Sequence, residues 1–191
     1  MRRVGIFGGS FNPVHVGHLR LAQHLRQSGA LDAVWLTLSP QNPLKDTDLL
    51  VDDFHRLAML RLAVAEYNDI EVCDVELSMS RPSYTINTLE LLSSRFPDCR
   101  FRLIIGSDNW LTFDRWRESE RIIADYGVIV YPRPGYELHM PLEKDNVEIV
   151  SAPMTDVSST MLRRAISTGE PVDDLLPAPV IKYIKTNKLY Q

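Results

Sequence analysis

Arg3-Val4-Gly5-Ile6-Phe7-Gly8-Gly9-Ser10-Phe11-Asn12-Pro13-Val14-His15-Val16-Gly17-His18 decides how this chain reads. The apolar run at 4–7 has strand character and stops at two glycines. Glycine lets the backbone approach a ligand closely, and Asn12-Pro13 favours turn initiation. His15 and His18 follow three apart, so a helix starting near them places both imidazoles on one face. A strand, a glycine-bearing turn and a helix start would thus bring backbone amides and two imidazoles onto one phosphate chain. The spacing is neither the dinucleotide G-x-G-x-x-G nor the Walker G-x-x-x-x-G-K-[ST], so a dehydrogenase and a P-loop kinase lose their main support. Two satisfied structural histidines and a zinc pair are the other readings. Helical zinc pairs favour i,i+4 with a third ligand, and no H-E-x-x-H or cysteine partner occurs here.

Outward from this stretch, strand-like and helical runs alternate. Residues 16–28 are amphipathic and end at Gly29; 33–39 are rich in Val, Trp and Leu; together with 4–7 they form a βαβ unit. Residues 52–67 have helical period, 70–77 read as the next strand, and 85–96 as another helix. Residues 101–105 stop at Gly106, and their twin at 127–131 stops at Pro132-Arg133-Pro134-Gly135. Helices over 158–168 and 177–187 close the chain, and 134–146 is a polar surface excursion. This alternation predicts an α/β fold with a doubly wound, mostly parallel sheet, whose ligands sit beyond the carboxyl ends of the strands. The segments at 10–15, 40–45 and 106–108, with Arg133, all fall at such ends.

With 191 residues, 45% of them hydrophobic, the chain suits a single domain over 1–191 with a sizeable core. A formal net charge of −4 argues against a dedicated nucleic-acid binder and leaves anion binding to local pockets. Cys73 and Cys99 lack C-x-x-C spacing and read as small apolar fillers in or beside strands. No signal-peptide core and no apolar run of about 18 residues occurs, which points to the cytoplasm and away from a membrane.

Ser158-Ser159-Thr160, after Asp156, has the residues of a helix N-terminus, with Met161, Leu162, Ala165 and Ile166 as its apolar face. Such an end attracts anions, and Arg163 one turn in adds a planar fork suited to phosphate oxygens. The plain alternative is an ordinary cap with a solvated arginine. Lys45 and Arg133 read either as phosphate contacts or as solvated charges. Trp35 and Trp110 read as core, and His24, His55 and His139 as structural or solvated.

The motif G-G-S-F-N-P-x-H-x-G-H resembles the nicotinate-nucleotide adenylyltransferases of the H-x-G-H nucleotidyltransferase superfamily. The likeness continues in order through Pro40-Gln41-Asn42-Pro43-Leu44-Lys45, Tyr84-Thr85-Ile86-Asn87-Thr88-Leu89, Gly106-Ser107-Asp108 with Trp116, Arg133-Pro134-Gly135, and Ser158-Ser159-Thr160-Met161-Leu162-Arg163. Class I aminoacyl-tRNA synthetases carry an element like H-x-G-H alone; the ordered series with S-S-T-x-x-R is far more specific. Asn12 stands where the family often has Asp, and Leu44 where it often has His.

The resemblance implies a Rossmann-like nucleotidyltransferase that moves AMP from ATP to nicotinate mononucleotide, giving deamido-NAD and pyrophosphate in NAD synthesis. It assigns ATP to Gly8, Gly9, Ser10, Phe11, His15, His18, Gly106, Asp108, Ser158, Ser159, Thr160 and Arg163. It assigns the mononucleotide to Asn42, Lys45, Thr85, Trp116 and Arg133. Trp116 is expected to stack on the pyridine, Thr85 to meet its carboxylate, and Asp108 to lie near ribose hydroxyls or the metal. His15 and His18 are the expected catalytic pair, with His18 on the α-phosphate. Mg²⁺ is expected to bridge the phosphates, held by their oxygens and water and not by a protein metal site. Other small-substrate enzymes, acting on nicotinamide mononucleotide or phosphopantetheine, are the nearest alternative. A non-catalytic nucleotide sensor and an RNA-associated relative of the synthetases are further ones; the intact histidines weigh against the first and the net acidity against the second. Homo-oligomerisation is left open.

Overall fold

All six residues of β2 (Ala33–Leu38) are buried, the signature of a parallel strand covered on both faces. The computed structural model describes residues 1–40, 50–136, 138, 145–152 and 156–191. In chain order it comprises β1 (Arg2–Gly9), α1 (Val16–Gln27), β2, α2 (Asp53–Val64), β3 (Ile70–Cys73), α3 (Thr85–Arg95) and β4 (Cys99–Gly106). There follow α4 (Ser107–Trp110), α5 (Ser119–Asp125), β5 (Val128–Tyr131), β6 (Val147–Ile149), α6 (Ser159–Thr168) and α7 (Ala178–Asn187). Short 3-10 turns lie at Val75–Ser78 and Phe113–Arg115.

The six strands form one sheet in the order β3-β2-β1-β4-β5-β6, and every pairing is parallel. Because β1 runs centrally, Phe7 sits beside Leu36 of β2 on one flank and Ile104 of β4 on the other. The order reverses between β1 and β4, so the crossovers leave on opposite faces and open a crevice beyond the carboxyl ends of those two strands. Alternate strand residues feed two cores. Phe7, Val34, Leu36, Ile104 and Ile129 pack with α1, α2, α6 and α7; Val4, Ile6, Trp35, Leu103 and Val128 pack with α3 and α5. The doubly wound reading from sequence is borne out, and the sheet is fully parallel.

Two readings need correction. Residues 70–77 are not one strand: β3 stops at Cys73, and the chain coils into the turn at Val75–Ser78. β3 has a ladder partner only opposite residues 34–37, and the Leu77 and Met79 amides then bond back to the Asp74 and Glu76 carbonyls, at 3.0 and 3.2 Å. Met161 does not join the apolar face of α6; it is 40% exposed, while Leu162 and Ala165 are buried. The strand β6, beside β5, was unforeseen because three residues carry no readable period.

Candidate active site

The loop between β1 and α1 is clamped from several directions. The Ser10 carbonyl accepts from Arg56 Nη1 (2.7 Å), the Asn12 carbonyl from Arg163 Nη1 (2.9 Å), and the Pro13 carbonyl from the Ser159 hydroxyl (2.9 Å). The Asn12 side-chain oxygen accepts from the Tyr190 hydroxyl (2.8 Å) and the Val51 amide (3.3 Å). Phe11 holds a left-handed backbone (φ 43°), a conformation that costs a non-glycine residue on the order of 1 kcal/mol or more. Burial of its ring offsets this, since Phe11 is 2% exposed and meets Phe7 and His18 edge-on at 5.9 and 5.0 Å. The Phe11 ring is therefore enclosed, and only the backbone of this residue can face the crevice. A Cβ on Gly9 would press on that ring at 3.1 Å, whereas one on Gly8 would point into open space.

The two histidines stack, ring centroids 3.7 Å apart and planes 29° from parallel, at the start of α1. The His15 amide donates to His18 Nδ1 (3.2 Å). An accepting Nδ1 places the proton of the neutral His18 ring on Nε2. His15 is 6% exposed, and its Nδ1 has no hydrogen-bond partner among the described residues. Burial, and secondarily the positive charge of Arg133, lower the His15 pKa to about 4, so the ring is neutral at pH 7.

The carboxyl ends of β4 and β5 supply the opposite wall. Asp108 Oδ2 accepts from Arg133 Nη1 (2.8 Å), and the Ser107 hydroxyl accepts from the Arg133 amide (2.9 Å). Gly106 leaves room for this pair: a Cβ would lie 2.6 Å from Arg133 Cδ and meet the Asp108 carboxylate, so both side chains would have to shift. Asp108 Oδ1 is buried with no partner among the described residues. At the start of α6, Ser158 caps the helix by accepting from the Met161 amide (3.2 Å), and Arg163 Nη2 reaches the Thr160 hydroxyl (3.3 Å). Ser159 and Arg163 thus join the α6 start to the histidine-bearing loop.

A second group gathers at the start of α3. Thr85 is its first residue, following Tyr84, and the Arg117 guanidinium lies over the Tyr84 ring at 5.0 Å. That contact brings the neighbour of Thr85 onto the neighbour of Trp116. Trp116 is partly exposed and packs on Phe113 at 5.2 Å, with its Nε1 buried and unpartnered among the described residues. Trp35 is buried as expected; Trp110 stacks on Phe113 at 5.3 Å. Asn42, Lys45 and His139 lie outside the described residues.

Two buried charges beneath the crevice escaped the sequence reading. Arg56 is wholly buried and donates to the carbonyls of Ser10, Ser39, Pro40 and Val51, besides pairing with Asp53. A signal existed: Arg56 is four and seven residues before Leu60 and Ala63, on the buried stripe of α2. Glu76, 7% exposed, accepts from the hydroxyls of Ser39, Ser83 and Thr88, each at 2.9 Å.

Comparison with known proteins places the chain in context. The profile of the cytidylyltransferase-like family matches residues 6–165. A protein of Bacteroides fragilis named a probable nicotinate-nucleotide adenylyltransferase is 44% identical over 182 residues, covering 95% of this chain and 90% of the relative. A protein of the same name from Bacteroides thetaiotaomicron is 46% identical over 184 residues, covering 96% and 91%. Among solved structures, the Plasmodium falciparum nicotinic acid mononucleotide adenylyltransferase complexed with NaAD superimposes with a TM-score of 0.80 at 18% identity, covering 100% of this chain and 98% of that one. At that identity the likeness speaks for the fold, and the bacterial relatives speak for the family. The chain belongs to the cytidylyltransferase-like family, among the nicotinate-nucleotide adenylyltransferases.

Proposed function

We propose that this protein transfers AMP from ATP to nicotinate mononucleotide, forming nicotinate adenine dinucleotide and pyrophosphate in NAD synthesis. The observation that carries the reading is the stacked His15–His18 pair, joined through its loop to the Arg163-bearing start of α6. The nucleophile is the mononucleotide's own phosphate, whose second pKa near ~6 leaves it mostly dianionic at neutral pH. One of its oxygens bonds to the α-phosphorus of ATP as the bond to pyrophosphate breaks, and no proton has to be removed. The protein's work is alignment and charge stabilisation.

His18 Nε2–H donates to an α-phosphate oxygen as charge builds there, while the neutral His15 offers one N–H to the same phosphate chain. Ser158, Ser159, Thr160 and Arg163 receive the outer phosphates at the α6 start. Ser10, Phe11, Gly8 and Gly9 contribute backbone beside the adenosine, and Gly106 leaves room for Asp108. Arg133, held by Asp108, is assigned to the mononucleotide phosphate, a role the sequence also gives to Lys45 and Asn42. Trp116 and Thr85 take the pyridine and its carboxylate. Magnesium would be carried by the phosphates, and the buried, unpartnered Asp108 Oδ1 is the oxygen that could reach it or its water. When bound, the ion neutralises phosphate charge.

The test is pyrophosphate release from ATP across acceptors. Nicotinate mononucleotide should be the preferred acceptor, and His18→Ala should lower kcat by about 100- to 1000-fold with little change in the KM for ATP. Turnover with phosphopantetheine alone, or a near-normal kcat in His18→Ala, would overturn the reading.

A further inference from the structure

Glu76 is a carboxylate with no part in the chemistry above, yet it is 7% exposed and bonded on both oxygens. Its donors come from three separate segments. Ser39 directly follows β2, Ser83 lies in the loop before α3, and Thr88 stands one turn into α3, three residues past Thr85. Hydroxyl hydrogen bonds to an ionised acceptor are among the stronger neutral–charged pairings, and all three here are aimed at one group. Ile86 and Leu89 hold the first turns of α3 in the core, while Tyr84, its N-cap, adds no side-chain capping bond. Beyond Glu76 the tie continues. The Ser39 amide donates to the Gly9 carbonyl (2.9 Å), and the Ser39 carbonyl accepts from Arg56 Nη1 (2.9 Å), which also grips Ser10. Ser39 is thus a single residue between the buried anion under α3 and the buried cation under the histidine-bearing loop.

We propose that Glu76 is a positioning residue for the mononucleotide half of the site. Its carboxylate fixes Ser83 through Thr88 against the end of β2, and through Ser39 it sets that segment at a fixed place relative to the ATP-binding loop. Thr85 is held between two of its anchors. The inference rests on the reading of Thr85 as a contact to the pyridine carboxylate. It goes further in naming a residue that touches no substrate and yet governs the affinity for one of the two.

The test uses Glu76→Gln, Glu76→Asp and, as a milder change, Ser83→Ala, with steady-state kinetics for both substrates and amide hydrogen exchange on the free enzyme. Glu76→Gln keeps the shape but turns one acceptor into a donor; it should raise the KM for nicotinate mononucleotide about tenfold and leave the KM for ATP within about twofold. Glu76→Asp, too short to span the three hydroxyls, should not restore it, and Ser83→Ala should raise it about threefold. In the same variants the amides of residues 83–89 should exchange faster while those of α1 keep their protection. Equal increases in both KM values, or an unchanged mononucleotide KM in folded Ser83→Ala, would overturn the proposal. Unchanged exchange over 83–89 would overturn it even if no pyridine mononucleotide proved to be a substrate. Failure of the wild type to use one would instead strike the substrate reading, with the exchange data still deciding the role of Glu76.

Discussion

Arg56 and Arg117 each brace one half of the crevice, in opposite circumstances. Arg56 is wholly buried, donates to four backbone carbonyls and pairs with Asp53, so its guanidinium is a fixed node beneath the histidine-bearing loop. Arg117 is 55% exposed, lies over the Tyr84 ring at 5.0 Å, and approaches Glu118 at 3.7 Å. The side proposed for ATP is therefore built from a contiguous motif locked by long-range hydrogen bonds. The side proposed for the pyridine joins α3, tied inward to Glu76, to the Trp116 segment through the surface contact of Arg117 on Tyr84. A triphosphate must be gripped in one geometry for in-line transfer, which rewards preorganisation. A flat ring of one chemical class needs only a stacking face and a few well-placed donors.

The largest expected effect contrasts these two arginines. Arg56→Met should lower unfolding free energy by about 3–5 kcal/mol, because it leaves the carbonyls of Ser10, Ser39, Pro40 and Val51 without their donor, while Asp53 keeps its pairing with Arg81. Arg56→Lys should recover only a fraction, since one ammonium cannot reproduce the planar fork. Arg117→Ala should fall below about 1 kcal/mol, as exposed cation–π contacts do. Urea unfolding of the three variants checks this; equal losses at both positions would break the contrast.

How much of this was legible follows from distance along the chain. The strand, turn and paired histidines are consecutive residues, so the spacing alone placed both imidazoles on one helix start, where the structure stacks them. The Ser158 cap was legible for the same reason, its bond closing over three residues. The inward turn of the Phe11 ring was not legible, because nothing local says that the chain turns left-handed there. Arg56 left a trace in the helical period. Glu76 left none, because its donors lie 37, 7 and 12 residues away and its own segment reads as continuing strand. Asn42 and Lys45 lie outside the described residues.

A smaller effect concerns pH. His15 is held near 4 by burial and by Arg133, against about 6.5 in the unfolded chain, so the unfolded state binds more protons between those values. Stability should be fully retained above pH 6.5 and decline as pH falls toward 4, with this residue accounting for roughly 3 kcal/mol at most. His15→Gln should lose less than the wild type over that window, measured as urea midpoints at pH 7.5 and 4.5. Parallel losses would show that the His15 ring does not titrate as its burial implies. The same neutrality means that an acidic limb of kcat/KM near ~6 is not the titration of His15 and is the one expected of the substrate phosphate.

The most direct test of a cleft with one half for each substrate is a crossed measurement of KM for both substrates in Arg163→Ala and Trp116→Ala. Arg163→Ala should raise the KM for ATP with the mononucleotide value nearly unchanged. Trp116→Ala should do the reverse, by about 1–3 kcal/mol, the range for lost stacking on an aromatic ring. The account predicts that the two defects do not cross over. A defect on the ATP side in Trp116→Ala, or on the pyridine side in Arg163→Ala, would contradict it.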